Sequence, residues 1–286
     1  MMKVKSLKCM ELVLCCCLIL SCIVSTIGAS SSPLKVGYYR KSCPRAESIV
    51  RHAVNKAASK DPGIAASLIR MHFHDCFVRV SCSDIIAFAA RDSALRAGGI
   101  NYAVPSGRRD GTESVFDEVT QNLPPPSLNA QQLVDNFAKK GLSLDEMVTL
   151  SGAHSIGVSH CSSFTDRLYK FNATHPQDPS LDPKYAASLK RRCPKSSAQD
   201  RTVNLDSLTP QRLDNQYYVG LKYNRGLLTS DQTLLTSPLT SKNAWNNANY
   251  GSNWSAKFAA AMVRMGSIDV LTGKQGEIRR ICSVVN

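Results

Sequence analysis

Residues 65–77 read Ala65-Ala-Ser-Leu-Ile-Arg70-Met-His-Phe-His74-Asp75-Cys76-Phe77, with apolar side chains recurring at helical spacing. Arg70 and His74 stand four apart, so a helix puts them on one face. A guanidinium beside an imidazole is an acid/base and charge-stabilising pair: His moves a proton near neutral pH, and Arg stays cationic against a developing negative charge. His72 lies only two residues from His74 and points elsewhere on the helix. The stretch therefore offers one functional His and one structural His.

Outward from this stretch the pattern stays helical. Ser81 to Leu95 has the same spacing and meets a stop at Gly98-Gly99. Leu123-Pro124-Pro125-Pro126 is a rigid extended break. A helix is expected from Ser127 or Asn129 to Gly141, and Ser143-Leu-Asp-Glu146 is a capping box opening one that runs to Gly152. His160 to Tyr169, Pro183 to Arg192, Asn215 to Tyr223 and Ser255 to Met265 read as further helices. Strand signals are weak and short, and Phe171 to Pro183 is irregular. The fold class is all-α.

The ends of the chain set its compartment. Lys3, Lys5 and Lys8 precede an apolar run from Leu12 to Ile27, followed by Gly28, Ala29 and Ser30. A basic start, a short apolar core and a small-residue exit predict a secretory signal peptide over residues 1–29, with the mature domain at 30–286. An uncleaved anchor is the alternative, but the run is short for a span of about 20 residues. Five of the 11 cysteines leave with the leader. Cys43, Cys76, Cys82, Cys161, Cys193 and Cys282 remain, an even set that suits disulfides in an oxidising compartment. The sequons at Asn172 and Asn253 predict glycosylation on the same route. The full chain carries a formal charge of +13, scattered apart from short clusters such as Lys190-Arg191-Arg192. Such charge suits a solvated surface or adhesion to extracellular polyanions. No nucleic-acid-binding motif accompanies it, and no later segment is long and apolar enough to cross a membrane.

Two further constellations could carry chemistry. In Leu150-Ser-Gly-Ala-His154-Ser155-Ile-Gly157 a capped helix ends at a small-residue pair and presents one His. A lone His is more often a satisfied structural residue than a ligand. In Asp206-Ser-Leu-Thr209-Pro-Gln-Arg212-Leu-Asp214, hydroxyls and carboxylates are spaced closely enough for a calcium cage, or simply for a polar turn. Taken alone, His72-Phe-His74-Asp75 also resembles the ligand cluster of a metal hydrolase. That reading needs further His or carboxylate clusters, and the chain offers few.

Together these segments resemble the class III (secretory) plant haem peroxidases. Arg70 to Phe77 is similar to that family's distal helix motif, and Leu150 to Gly157 to its proximal haem-ligand motif. Ser207 to Tyr218, Gly226-Leu-Leu-Thr-Ser-Asp231 and Phe258 to Asn286 continue the likeness in order, over nearly all of residues 34–286. The resemblance implies a two-lobed all-α fold with haem b between distal and proximal helices. It implies His154 as the iron ligand, Asp231 as its hydrogen-bonded carboxylate and Phe73 packed near the haem. His74 would carry the peroxide proton, Arg70 would stabilise charge as the O–O bond breaks, and Pro124 would line the donor site. The expected activity is reduction of hydrogen peroxide with one-electron oxidation of small phenolic donors, outside the cell in wall or apoplast, or in the vacuole.

The family's proximal calcium would take Ser155, Asp206, Thr209, the Arg212 carbonyl and Asp214, and the implied disulfides are Cys161–Cys193 and Cys82–Cys282. After Arg79 the likeness skips a block of some tens of residues and resumes at Val80-Ser81-Cys82, so the distal lobe is expected to be truncated. The distal calcium keeps only Asp75 and the Val78 carbonyl, which leaves one calcium expected where the family has two. The usual partners of Cys43 and Cys76 are gone, as is the Asn that would hydrogen-bond His74. The two functional readings are a phenol-oxidising haem peroxidase and a non-catalytic haem-binding variant with a disrupted distal pocket.

Overall fold

The structure is a computed structural model that describes residues 34–78, 82–113, 115–196 and 198–286. The signal peptide expected over residues 1–29 and the Arg79–Ser81 junction lie outside the described residues. Helices dominate: α1 (Ala46–Lys60), α2 (Gly63–Phe77), α3 (Ser83–Gly98), α4 (Phe116–Asn122), α5 (Ala130–Lys139) and α6 (Leu144–Ser151). After a one-turn 3-10 segment at Gly152–Ser155 come α7 (Thr165–Tyr169), α8 (Pro183–Arg192), α9 (Gln216–Lys222), α10 (Thr229–Thr236), α11 (Ser241–Asn249) and α12 (Gly251–Met265). Two small antiparallel pairs complete the fold, β1 (Lys35–Val36) with β2 (Pro105–Ser106) and β3 (Val158–His160) with β4 (Thr202–Asn204).

The caps explain where the helices that carry the site begin and end. Asn129 and Gln132 form a reciprocal capping box at α5, and Ser143 and Glu146 form another at α6. Asp182 caps α8 with Pro183 in its first turn, and Lys190, Arg191 and Arg192 complement the dipole at its end. α2 stops where Val78 turns extended, with its N–H still bonded to the His74 carbonyl at 2.8 Å. α3 closes through Gly99, whose left-handed φ of 71° lets its N–H reach the Leu95 carbonyl.

The expected helix from His160 begins only at Thr165. His160 instead ends β3, and the Cys161 N–H is taken by the Arg201 carbonyl at 2.8 Å across the strand pair. Cys161–Ser163 then makes a single 3-10 turn, and the α-helix follows only at Thr165. α1, α4, α10 and α11 were not anticipated from periodicity. α1 is packed by only two buried side chains, Val54 and Ala58, and its sequence is mostly polar.

The principal core gathers α2, α5, α6, α9, α11 and α12 around Phe77, Phe137, Met147, Tyr218, Trp254 and Phe258. A second cluster, with Phe164, Leu168, Leu189 and Leu228, is stapled by the Cys161–Cys193 disulfide. Each fully buried large apolar side chain contributes about 1.5–3 kcal/mol. The Cys82–Cys282 disulfide ties the start of α3 to the C-terminal segment across 200 residues. Closing so long a loop in the unfolded chain is worth a few kcal/mol. Both bridges are the pairs implied by the family resemblance. Cys43 is free and exposed, and Cys76 is free and buried.

Candidate active site

On α2 the i, i+4 spacing brings Arg70 and His74 together: Arg70 Nε donates to His74 Nε2 at 3.2 Å. Partial burial, then the Arg70 cation, hold the His74 pKa below the usual imidazole value. His74 is thus a neutral base whose Nε2 lone pair faces a donor. His72, on the other side of α2, is fully buried against the Cys76 sulfur at 3.8 Å. Burial and then Arg108 push its pKa down to about 3. It stays neutral inside the protein and does not share a site with His74, which removes the basis of the metal-hydrolase reading. Phe73 is half-buried and packs on Phe77, with ring centroids 4.4 Å apart, and more loosely on Phe137.

The opposing wall is built by α6 and the turn after it. Gly152 is required there, because a Cβ would lie 2.7 Å from the Trp254 indole. The close approach lets the chain tighten into the 3-10 turn that presents His154. Its Nδ1–H donates to Asp231 Oδ1 at 2.7 Å. The same oxygen accepts from Tyr217 Oη at 2.9 Å, while Asp231 Oδ2 accepts the Leu228 N–H at 2.9 Å. Burial alone would raise the Asp231 pKa, but His154 and these bonds outweigh it and hold the pKa below the carboxylate range. With Nδ1 committed, the lone pair of His154 lies on Nε2, and the ring is 37% exposed although its carboxylate partner is buried. An imidazole oriented in this way fits an iron ligand backed by an anionic carboxylate.

Arg167 steadies the support from behind. It is buried, pairs with Asp178 at 2.7 Å, and donates to the carbonyls of Gly226, Leu227 and Leu228. Those carbonyls lead directly into α10 and Asp231. The Pro-rich break, with Pro124 half-buried, docks here too: the Ser230 N–H donates to the Pro126 carbonyl at 3.0 Å. The two walls converge where α2 meets the segment after His154. A Cβ on Gly157, whose φ is +96°, would come within 3.1 Å of the Ala66 Cβ.

Pairing of β3 with β4, extended by the Ile156–Gln211 bridge, lays Ser155 beside the 206–214 loop. Thr209 Oγ1 stands 3.0 Å from Asp206 Oδ2 and 2.9 Å from Asp214 Oδ1, and Arg212 sits in the same turn. The Ser155 hydroxyl is fully buried with no hydrogen-bond partner. Burial, only partly opposed by bonds from Leu208 and Thr209, raises the Asp206 pKa. An orphaned hydroxyl, and two carboxylates that share the Thr209 hydroxyl in the neighbouring loop, are oxygen groups of the kind that a calcium ion takes. Among the described residues no three His, Cys, Asp or Glu side chains converge on a metal. A calcium cage here would draw on hydroxyls and carbonyls as well.

The surroundings of Asp75 are different. Asp75 accepts the Ser83 hydroxyl at 3.0 Å, and burial raises its pKa to about 7 against the opposing effects of Ser83 and Arg108.

The sequence profile of the peroxidase family matches residues 78–249. The chain is 46% identical to Peroxidase 5 of Vitis vinifera, over 88% of this chain and 92% of that one. It is 41% identical to Peroxidase 3 of Arabidopsis thaliana, over 92% of this chain and 95% of the other. The chain belongs to the peroxidase family. Its relatives are plant peroxidases, and the mostly helical fold agrees with that family. Among the described residues of this peroxidase, no helix is long and apolar enough to cross a membrane.

Several supporting residues were not found from the sequence. Tyr217 fell within a helix that was read correctly, but nothing in its spacing pointed to Asp231. Arg167 and Asp178 gave no signal, because their roles depend on carbonyls about sixty residues away. The peroxidase exposes both sequon asparagines: Asn172 in a turn where its Oδ1 accepts the Thr174 and His175 N–H groups, and Asn253 in the first turn of α12.

Proposed function

We propose that this peroxidase reduces hydrogen peroxide outside the cell and oxidises small phenolic donors by one-electron steps. The observation that carries the reading is the pairing of two complementary walls: Arg70 with a neutral His74, and His154 fixed on Asp231. Haem b, held by His154 Nε2, supplies the redox chemistry when bound. Asp231 keeps the His154 N–H engaged and lends the ring anionic character. On the other wall, peroxide takes the place of Arg70 as the donor to His74 Nε2. His74 accepts that proton and returns it to the departing oxygen, and Arg70 steadies the charge that builds there. Phe73 restricts what can approach, and Pro124 borders the place where a phenol would rest. Asn172 and Asn253 are the proposed glycan sites.

The proposed calcium count is one, held by Ser155, Asp206, Thr209, the Arg212 carbonyl and Asp214. An internal deletion after Arg79 is supported by alignment length. The match to the Vitis protein runs over 301 positions, more than the 286 residues of the whole chain. The family profile also begins only at Val78. The exposed Arg191 and Arg192 at the end of α8, with Lys195 beyond, suit adhesion to acidic wall polymers.

The test is to produce the secreted protein, add haem, and record its spectrum with and without peroxide. A Soret band that shifts on adding peroxide and returns on adding a phenol is expected, and His154→Ala should abolish stable haem uptake. Unchanged haem content in that variant, or a Soret band indifferent to peroxide, would overturn the reading.

A further inference from the structure

Three oxidisable side chains run inward from His154. The ring of Tyr217 stands edge-on to the His154 imidazole with centroids 6.1 Å apart. Tyr218 follows at 4.9 Å and Trp254 at a further 6.1 Å. All three are buried. Beyond Trp254 lies Phe258 at 5.3 Å, which is far harder to oxidise, so the series ends inside the core.

The three rings differ in where their protons can go. Tyr218 Oη lies 2.6 Å from the Val148 carbonyl and 3.0 Å from that of Thr149. The Trp254 indole N–H donates to the Thr149 carbonyl at 3.2 Å. An amide carbonyl accepts a hydrogen bond but does not keep a proton. Tyr217 alone among them donates to a carboxylate, Asp231, at 2.9 Å. A phenol that loses an electron becomes a strong acid. Without a base it must remain a buried cation, which costs several kcal/mol. With Asp231 beside it, Tyr217 can shed the proton and stay neutral.

We propose that Tyr217 is a redox-active residue that parks one oxidising equivalent when no donor is present. The proposal rests on the peroxidase reading above. The Tyr217 O–H bond breaks, the proton forms an O–H bond on Asp231 Oδ1, and the electron reduces the oxidised haem centre by one equivalent. Peroxide, through the proposed activity, is the oxidant. An outside phenol later supplies the electron that restores Tyr217, the proton returns from Asp231, and the phenol's own proton leaves to solvent. While the equivalent is parked, Asp231 is neutral, so His154 loses its anionic partner for that interval. Tyr218 and Trp254, lacking a base, confine the radical to Tyr217.

The test uses holoprotein loaded with haem b and mixed with one equivalent of hydrogen peroxide without donor. Samples are freeze-quenched for electron paramagnetic resonance. The expected result is a tyrosyl signal whose hyperfine pattern changes on ring-deuterated tyrosine, vanishes in Tyr217→Phe and persists in Tyr218→Phe. Trapping with nitric oxide and peptide fragmentation of the unmutated protein should place the adduct on Tyr217, which covers a variant that fails to fold. A signal that survives Tyr217→Phe, or an adduct confined to other residues while the Soret band responds to peroxide, overturns the relay alone. A Soret band that ignores peroxide overturns the peroxidase reading and the relay together.

Discussion

Arg70 Nε donates to His74 Nε2 at 3.2 Å across one turn of α2. The bond occupies the nitrogen that must receive the peroxide proton, and it fixes that nitrogen as the unprotonated one. Burial and then the Arg70 charge hold the His74 pKa below 6.5. The rate of reaction with peroxide should therefore stay level as pH falls through 6.5 and decline only in more acid solution, as His74 gains a proton. Arg70→Leu removes the cation, so the acid limb should move to higher pH as the rate drops. His74→Leu should slow the reaction about 10²–10⁴-fold, the usual contribution of a positioned general base. Stopped-flow rates against pH decide this. An acid limb in the Arg70 variant that moves downward or not at all contradicts the pairing.

A second expectation concerns the other wall. The depressed pKa of Asp231 means that the fold favours its charged form. Its contribution to stability is fully present above the unfolded carboxyl value of about 3.9 and is lost as pH falls through the lower folded value. Asp231→Asn weakens the bonds to His154, Leu228 and Tyr217 at once. A loss of about 2–4 kcal/mol at pH 7 is expected, given roughly 1.5–3 kcal/mol for one bond to a charged group. The gap from the unmutated protein should narrow in strong acid. Denaturant titrations at both pH values would show it, and an equal gap at each would place the effect in packing instead.

Much of this architecture was legible because it is local. The helix start near Asn129, the capping box at Ser143, the Gly98-Gly99 stop and the shared face of Arg70 and His74 need only neighbouring residues. His154 was legible only as the end of a capped helix, and its role came from the resemblance. Asp231 meets it from 77 residues away, and Tyr217 and Arg167 act through that same distant loop, so no periodicity could reveal them. Ser83 was invisible for another reason. Its bond to Asp75 exists only because α3 begins so soon after α2 ends.

Calcium should bind once. The buried Ser155 hydroxyl has no partner, and Asp206 and Asp214 share Thr209 between them, so the proximal loop has oxygen ligands waiting. Asp75 is instead satisfied by Ser83. Metal analysis after dialysis against a mild chelator should give one equivalent per chain. Stripping it should lower the melting temperature and loosen haem, since a ligand of the folded state stabilises by mass action. Ser155→Ala should weaken retention, and Ser83→Ala should leave the count at one. Two equivalents in the unmutated protein would mean that a distal site exists.

The unpaired cysteines give the last expectation. Cys43 is exposed, whereas Cys76 is buried beside His72 on the inner side of α2. Burial, with Asp75 adding to it, pushes the Cys76 thiol pKa far up, so its reactive thiolate is scarce at neutral pH. A chromogenic disulfide reagent should find one fast thiol per native chain and two after denaturation without reductant. Cys43→Ser should abolish the fast phase, and Cys76→Ser should leave it intact while removing the second. The other four cysteines should stay unreactive, because Cys82–Cys282 and Cys161–Cys193 are closed. If neither the native nor the denatured chain gave a thiol, Cys43 and Cys76 would be joined to each other, and the N-terminal segment would have to reach the inner face of α2.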